Sequence, residues 1–165
     1  MKEKLLYYSK ELLFFIIIIT LFANIMSWYK SQDLNKERLP IKEVRLINNQ
    51  EFATDSSSAL LVHIWATWCP TCAFEAQNIQ TISHYFNTLT IAVNSGSDLE
   101  IKKYLDKKEL DFAVVNDKYS SYAKKFNISA YPTTLIYNKN GELVFSEVGY
   151  TSTLGLFLRM WWANL

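Results

Sequence analysis

The two cysteines of this 165-residue chain, Cys69 and Cys72, stand two residues apart in Trp65-Ala66-Thr67-Trp68-Cys69-Pro70-Thr71-Cys72. An apolar run precedes them (Leu60, Leu61, Val62, Ile64, Trp65). A helical pattern follows, with Ala76, Ile79, Ile82 and Phe86 on one face. A strand that delivers a CxxC to the start of a helix has its own chemistry. The unpaired N–H groups and the dipole at a helix N-terminus favour a thiolate, so Cys69 becomes a nucleophile of lowered pKa. Cys72 lies one turn along, within reach of a disulfide. The pair therefore reads as a redox-active dithiol. The alternatives are half of a zinc site, a copper site, or an inert disulfide. A zinc site needs two further ligands, and only His63 and His84 remain, neither close in sequence to another ligand. An inert disulfide across so short a loop restrains the unfolded chain little. We expect no metal and no cofactor.

Elements on either side must position this pair, and the chain length suits one domain plus an appendage. Half of the residues are hydrophobic and a fifth are charged, enough for a packed core. The net charge of +1 argues against a nucleic-acid partner held by phosphate contacts. The appendage comes first. From Leu12 to Trp28 there is no charged residue, and Thr20, Asn24 and Ser27 are the only polar ones. Flanked by Tyr7, Tyr8, Trp28 and Tyr29, this run suits a single membrane-spanning helix. The competing reading is a cleaved signal peptide with Lys2, Lys4 and Lys10 as its basic end. The run is long, rich in Ile and Phe, and lacks a small-x-small site after it, which favours an uncleaved anchor. Lysines flank both ends, so charge does not set the orientation. A CxxC domain held at a membrane suits an oxidising compartment, which places the amino end inside and the domain outside. Residues 1–29 are thus expected as an anchor, 30–40 as a polar linker ending in Pro40, and 41–165 as the domain.

Within the domain, Val44, Leu46 and Phe52 around Asn48-Asn49-Gln50 predict a hairpin. Asp55 to Ser58 reads as a loop. Buried strands are expected at Leu60–Ala66 and Thr88–Val93, and a helix from Pro70 to about Asn87, with proline tolerated in its first turn. A second helix, capped by Ser97 or Asp98, runs to about Lys108. Next come a strand over Asp111–Val115 and a short helix from Asp117 through Phe126. A strand over Thr133–Tyr137, an Asn140-Gly141 turn and a strand over Leu143–Val148 form a closing hairpin. Gly149 ends it, and a last helix spans Ser152 to Asn164. The order implies an α/β fold: a central mixed sheet flanked by helices, with an amino-terminal β-hairpin and a single amino-terminal transmembrane helix.

These residues resemble the thioredoxin superfamily. WATWCPTC matches its strand-to-helix active-site junction, Tyr131-Pro132-Thr133 its cis-proline loop, and PTTLIYNKNGELV followed by Val148-Gly149 its closing hairpin. The anchor, the amino-terminal hairpin and Cys72-Ala73-Phe74-Glu75 resemble the membrane-tethered TlpA, ResA and DsbE group. The ending GYTSTLGLFLRMWWANL is closer to ScsD-like protein disulfide oxidoreductases. Two departures stand out. Ser129-Ala130-Tyr131-Pro132 replaces the Gly-Ala-Pro-Glu of the DsbE group, and His63 stands where thioredoxins carry an aspartate, six residues before the first cysteine. The resemblance implies a thioredoxin-like fold and a membrane-anchored, periplasmic thiol–disulfide oxidoreductase of the inner membrane. Its partners would be protein substrates with disulfides or thiols and a membrane electron donor of the DsbD or CcdA type. The reductant direction is favoured. The other class weighed is a copper chaperone resembling the Sco group, which uses CxxxC and a distant histidine instead.

Each candidate residue carries a functional role and a plain one. Cys69 attacks and Cys72 resolves the mixed disulfide. Pro70 and Thr71 tune the ionisation of Cys69 and line the substrate site. Glu75, one turn beyond Cys72, accepts its proton, or is simply a glutamate favoured near a helix start. Pro132 is expected in the cis form, exposing the backbone of Tyr131 to a substrate strand, against a plain trans loop proline. Trp68 shields the dithiol and contacts substrate, while Trp65 is core. His63 is a hydrogen-bonded core histidine or a stand-in for the aspartate. The last helix is apolar on both faces. Its outer face is expected either to meet a partner or the bilayer, or to lie under the amino-terminal hairpin.

Overall fold

The computed structural model describes residues 2–35, 37–54 and 57–165, with the side chains at 2–7, 9, 23 and 28 left aside. The side chains of Lys2, Lys4, Tyr7 and Trp28, and Asp55 and Ser56 of the expected loop, lie outside the described residues. Helix α1 (Lys2–Lys30) leads into a 3-10 turn at Ser31–Asp33. A two-stranded antiparallel ribbon follows, β1 (Glu43–Arg45) and β2 (Glu51–Ala53), turned by Asn49 at φ 67°. Then come β3 (Leu60–Trp65), α2 (Pro70–Ser83), β4 (Thr88–Val93), α3 (Asp98–Lys107), β5 (Val114–Asp117), α4 (Ser121–Lys125), β6 (Thr133–Tyr137), β7 (Leu143–Val148) and α5 (Thr153–Ala163).

The main sheet has the order β5-β4-β3-β6-β7. Strands β3, β4 and β5 are parallel, and β6 and β7 join antiparallel through the Asn140-Gly141 turn. Strand β3 is central and buried along its whole length, as its apolar run, broken only by His63, leads one to expect. Its side chains alternate between two cores. Leu61 and Trp65 pack with Ala76, Ile79 and Ile82 of α2 and Leu156 and Met160 of α5. Leu60, Val62 and Ile64 pack on the other face with Ala123 and Phe126. The expected fold of a mixed sheet between helix layers is the one observed.

Three boundaries differ from the sequence reading, each for a local reason. Helix α2 stops at Ser83: the N–H groups of Tyr85 and Phe86 both turn back to the Ile82 carbonyl. Strand β5 begins at Val114 and not Asp111, because pairing with β4 starts at Thr90↔Val114. Leu110 and Phe112 are buried as loop residues of the first core. Asp117 ends β5 and does not start a helix. Its carboxylate accepts from the Ser121 and Ala123 N–H groups at 2.6 and 2.9 Å, so it caps α4 from outside the helix.

Helix α3 begins with a capping box. The Ser97 hydroxyl accepts from the Glu100 N–H at 3.3 Å, and the Glu100 carboxylate accepts from the Ser97 N–H at 2.7 Å. Ser97→Ala should therefore destabilise the fold by about 1 kcal/mol, read as a lowered denaturant midpoint with an unchanged slope.

The segment expected as a polar linker folds back on the domain. Leu34 is buried, the Asn35 N–H donates to the Phe126 carbonyl at 3.1 Å, and the Leu39 N–H donates to the Gly141 carbonyl at 2.9 Å. Helix α1 exposes large apolar side chains between Leu12 and Met26, and its second half, from Ile19 to Lys30, lines a cleft against the domain that Ser27 bridges by hydrogen bonds.

Candidate active site

Strand β3 ends at Trp65, and a short turn brings Cys69 to the N-cap of α2, with Pro70 in the first turn of the helix. Cys69 and Cys72 form a disulfide, with their Cα atoms 5.3 Å apart. The Cys72 N–H donates to the Cys69 sulfur at 3.1 Å, so one of the free amide donors of the helix end is spent on that atom. Both cysteines are buried, while Trp68, Pro70 and Thr71 around them are exposed.

Across from this turn, the Tyr131–Pro132 peptide is cis, and Pro132 is buried. The Pro132 carbonyl accepts from the Gly149 N–H at 2.8 Å, extending the β6–β7 pairing past Thr133. Gly149 has φ 103°, a conformation L side chains avoid, which explains why glycine follows β7. The Trp68 indole stands edge-on to the Tyr131 ring at 5.7 Å, and its N–H donates to the Asn94 carbonyl at 3.1 Å. The structure thus brings Cys69, Cys72, Trp68, Tyr131 and Pro132 to one end of the sheet, at the carboxyl ends of the parallel strands.

Glu75 belongs to the buried side of α2 with Cys72, Ala76 and Ile79. It is wholly inaccessible to solvent, more deeply placed than the sequence suggested. One carboxylate oxygen accepts from the Thr151 N–H at 3.0 Å, and the other has no hydrogen-bond partner among the described residues. Burial pushes its pKa up to about 8; the Thr151 bond opposes the rise and the nearby Glu147 charge adds to it. His63 points from β3 into the same core as α2. Its Nδ1 is 2.9 Å from the Thr134 hydroxyl, and burial lowers its pKa to about 3, so the ring is neutral. Thr90 is its partner in register on β4, with a buried hydroxyl that has no partner among the described residues. His84, by contrast, is exposed at the end of α2.

Sequence reasoning did not find Asn94, Ser95 or Thr151. Ser95 accepts the Thr67 N–H at 3.0 Å and so fixes the turn before Cys69, while Thr151 holds Glu75. These contacts pass through backbone groups or a single hydroxyl, which leave no pattern in side-chain types. A half-buried ion pair was also missed: Arg159 of α5 meets Glu147 of β7 at 2.7 Å.

A family model described as Redoxin matches residues 40–154. Among curated proteins, the chain is 28% identical over 111 residues to a thioredoxin-like protein of Haemophilus influenzae, covering 67% of this chain and 66% of that protein. It is 25% identical over 122 residues to the thiol-disulfide oxidoreductase ResA of Halalkalibacterium halodurans, covering 72% and 63%. The match thus spans just under two thirds of the length of these relatives. Among solved structures, StoA from Bacillus subtilis aligns with a TM-score of 0.64 at 19% identity, covering 73% of this chain and 96% of that one. A DsbE-like thiol:disulfide interchange protein from Chlorobium tepidum aligns with a TM-score of 0.69 at 16% identity, covering 79% and 98%. The fold, the order of its elements and the matched family place the resemblance seen in the sequence on firm ground: the chain belongs to the redoxin family of the thioredoxin superfamily.

Proposed function

We propose that the chain is a membrane-anchored thiol–disulfide oxidoreductase that exchanges disulfides with protein substrates through Cys69 and Cys72. The observation that carries this reading is the dithiol at the N-terminus of α2, its Cys69 sulfur already accepting a helix-end N–H. In the reductant direction, the Cys69 thiolate attacks a substrate disulfide, giving a mixed disulfide and one released substrate thiolate. Cys72 then loses its proton to the Glu75 carboxylate and attacks the Cys69 sulfur. The second substrate thiolate leaves, and the Cys69–Cys72 disulfide remains with Glu75 protonated. Burial raises the Glu75 pKa to about 8, so at neutral pH the step runs through the minor ionised fraction, which is basic enough to take a thiol proton and then holds it. The proton returns to Cys72 when a donor dithiol reduces the pair. Trp68, Pro70 and Thr71 form the exposed rim that meets the substrate, and the backbone at Tyr131–Pro132 pairs with its chain.

Residues 1–29 serve as the anchor, and 41–165 as the catalytic domain on the periplasmic side of the inner membrane. The 24 residues Lys10–Asp33 are long and apolar enough to cross a bilayer, which supports the anchor. A membrane dithiol of the DsbD or CcdA type supplies electrons. The reduction potential of the full chain in detergent, set by equilibration with thiol buffers, tests the direction. A value near that of thioredoxin, roughly −270 mV, is expected; a value near that of DsbA, roughly −120 mV, would reverse the direction to oxidant.

A further inference from the structure

Helix α5 leaves an apolar stripe uncovered. Leu156, Met160 and Ala163 face the core, while Leu154, Leu158, Trp161 and Leu165, at i, i+4, i+7 and i+11, are more than half exposed on the opposite side. Trp162 is also exposed beside them. The amino-terminal hairpin does not cover this face. Its neighbours lie at the far edge of the sheet, where the Ile47 N–H donates to the Val114 carbonyl of β5.

The position of α1 says what does cover it. Thr20, Asn24 and Ser27 are the only polar residues in the apolar run, and at i, i+4 and i+7 they form one stripe. All three line a cleft shared with residues 147–152, Gly155 and Arg159. At its upper end the Ser27 hydroxyl donates to Glu147 at 3.0 Å and accepts from the Val148 N–H at 2.9 Å. Glu147 in turn binds Arg159 of α5. Ile19 and Thr20 of the span also line this cleft, whose domain side includes Tyr150, Ser152 and Gly155. Ile19 and Ser27 are about 12 Å apart along the helix axis. The cleft that the start of α5 shares with α1 therefore runs along the outer half of the span, from Thr20 at the middle of the apolar run to Lys30.

We propose that the outer face of α5 lies in the interfacial layer of the lipid bilayer, with Leu154 and Leu158 toward the acyl chains and Trp161 and Trp162 at the headgroups. The inference rests on the reading of α1 as a membrane anchor. The polar stripe of the span lines the cleft against the chain's own domain, where Ser27 binds Glu147 and Val148 while Thr20 and Asn24 donate back to the Ile16 and Thr20 carbonyls of the helix, and the apolar stripe of α5 beside that cleft faces lipid. The Arg159–Glu147–Ser27 contacts hold the two helices in that register. The Phe74 ring on α2 packs on Tyr150 at 5.3 Å, so the dithiol helix is joined to the same membrane-facing side.

The test uses the full chain in phosphatidylcholine–phosphatidylglycerol vesicles whose acyl chains carry bromine, a contact quencher of indole emission. Trp161→Phe/Trp162→Phe, both at exposed sites, should lose roughly half or more of the lipid-quenchable emission, as expected for two indoles at the interface. Trp28→Phe should keep quenching from α5. Unchanged quenching in the double variant overturns the proposal. So does shielding of Trp161 and Trp162 from both bromolipid and aqueous iodide with pairwise cross-linking of chains, which would assign the face to a second copy. A carbonate wash separates the two levels of the argument. Release of the chain from the vesicles refutes the anchor itself; retention with unquenched Trp161 and Trp162 refutes only the seating of α5.

Discussion

Cys69→Ser should lower the exchange rate by on the order of 10³-fold or more, while Cys72→Ser should convert the chain into a trap that accumulates mixed disulfides. The two cysteines differ by position, not by type. Cys69 is the N-cap of α2, with an exposed tryptophan before it and an exposed proline after it. A substrate disulfide can reach its sulfur from that rim, and the helix end stabilises its thiolate. Cys72 is inside the first turn, 2% exposed, against Ala76 and Ile79. It can reach the Cys69 sulfur but no incoming substrate. Without Cys72 the first mixed disulfide has no internal exit. The check is non-reducing electrophoresis of each variant after mixing with a disulfide-bonded peptide. Equal trapping by the two variants would remove the assignment of Cys69 as the attacking thiol, and near-normal turnover by Cys69→Ser would remove the dithiol mechanism.

The oxidised protein should be most stable at mildly acidic pH, with a plateau between about 4.5 and 6.5 set by two buried groups with opposite shifts. Glu75 ionises near its ordinary 4.5 in the unfolded chain but near 8 in the fold. Over that interval the native state holds the extra proton, so Glu75 makes stability fall as pH rises. His63 gains its proton near 6.5 in the unfolded chain but near 3 in the fold. Over that interval the unfolded state holds the extra proton, so His63 makes stability fall as pH falls. Where the intervals overlap, the two slopes oppose each other. Above 6.5 only Glu75 acts, and below 4.5 only His63, joined by Glu100, whose hydrogen bonds to Ser97 hold its carboxyl below its usual range. Glu75→Gln can still accept the Thr151 N–H, and it should gain about 2 kcal/mol on the wild type between pH 6.5 and 8. His63→Gln should gain roughly 3 kcal/mol between pH 6.5 and 4.5. Denaturant unfolding across this range gives both differences. A pH-independent offset for either variant would mean that the side chain does not change charge on unfolding as described.

Much of this was legible in the sequence because the informative residues sit in periodic or punctuated contexts. The buried strands Leu60–Trp65, Thr88–Val93 and Thr133–Tyr137 follow from short, uncharged runs rich in apolar and β-branched residues, and the closing hairpin from Asn140-Gly141. The cis bond before Pro132 follows from the resemblance of Tyr131-Pro132-Thr133 to the cis-proline loop of the superfamily. The shifted β5 was not legible. Phe112 reads as a strand residue, yet it reaches the core from a loop beside Leu110, and only the partner strand decides where pairing starts. Asp117 illustrates the same limit. An aspartate near a helix start reads as its cap, but here it caps from the end of a strand four residues away. The depth of Glu75 was underread because its burial comes from Thr151 and the loop after β7, 76 residues distant in the chain. The outward side of α5 posed a question the sequence alone left open, because an apolar helix looks the same whether protein or lipid surrounds it.

The pinned segment before the ribbon bears on how far the dithiol can travel. Stretched out, residues 30–40 would span roughly 36 Å, and a domain on such a leash would sweep a wide hemisphere in search of partners. The turn at Ser31–Asp33 and the backbone bonds from Asn35 to Phe126 and from Leu39 to Gly141 take up that slack. The reach of Cys69 is then the radius of the domain itself. With α1 as the proposed anchor, a partner must bring its own thiols to that height and that orientation, and one held in the same membrane would meet the site by a two-dimensional search.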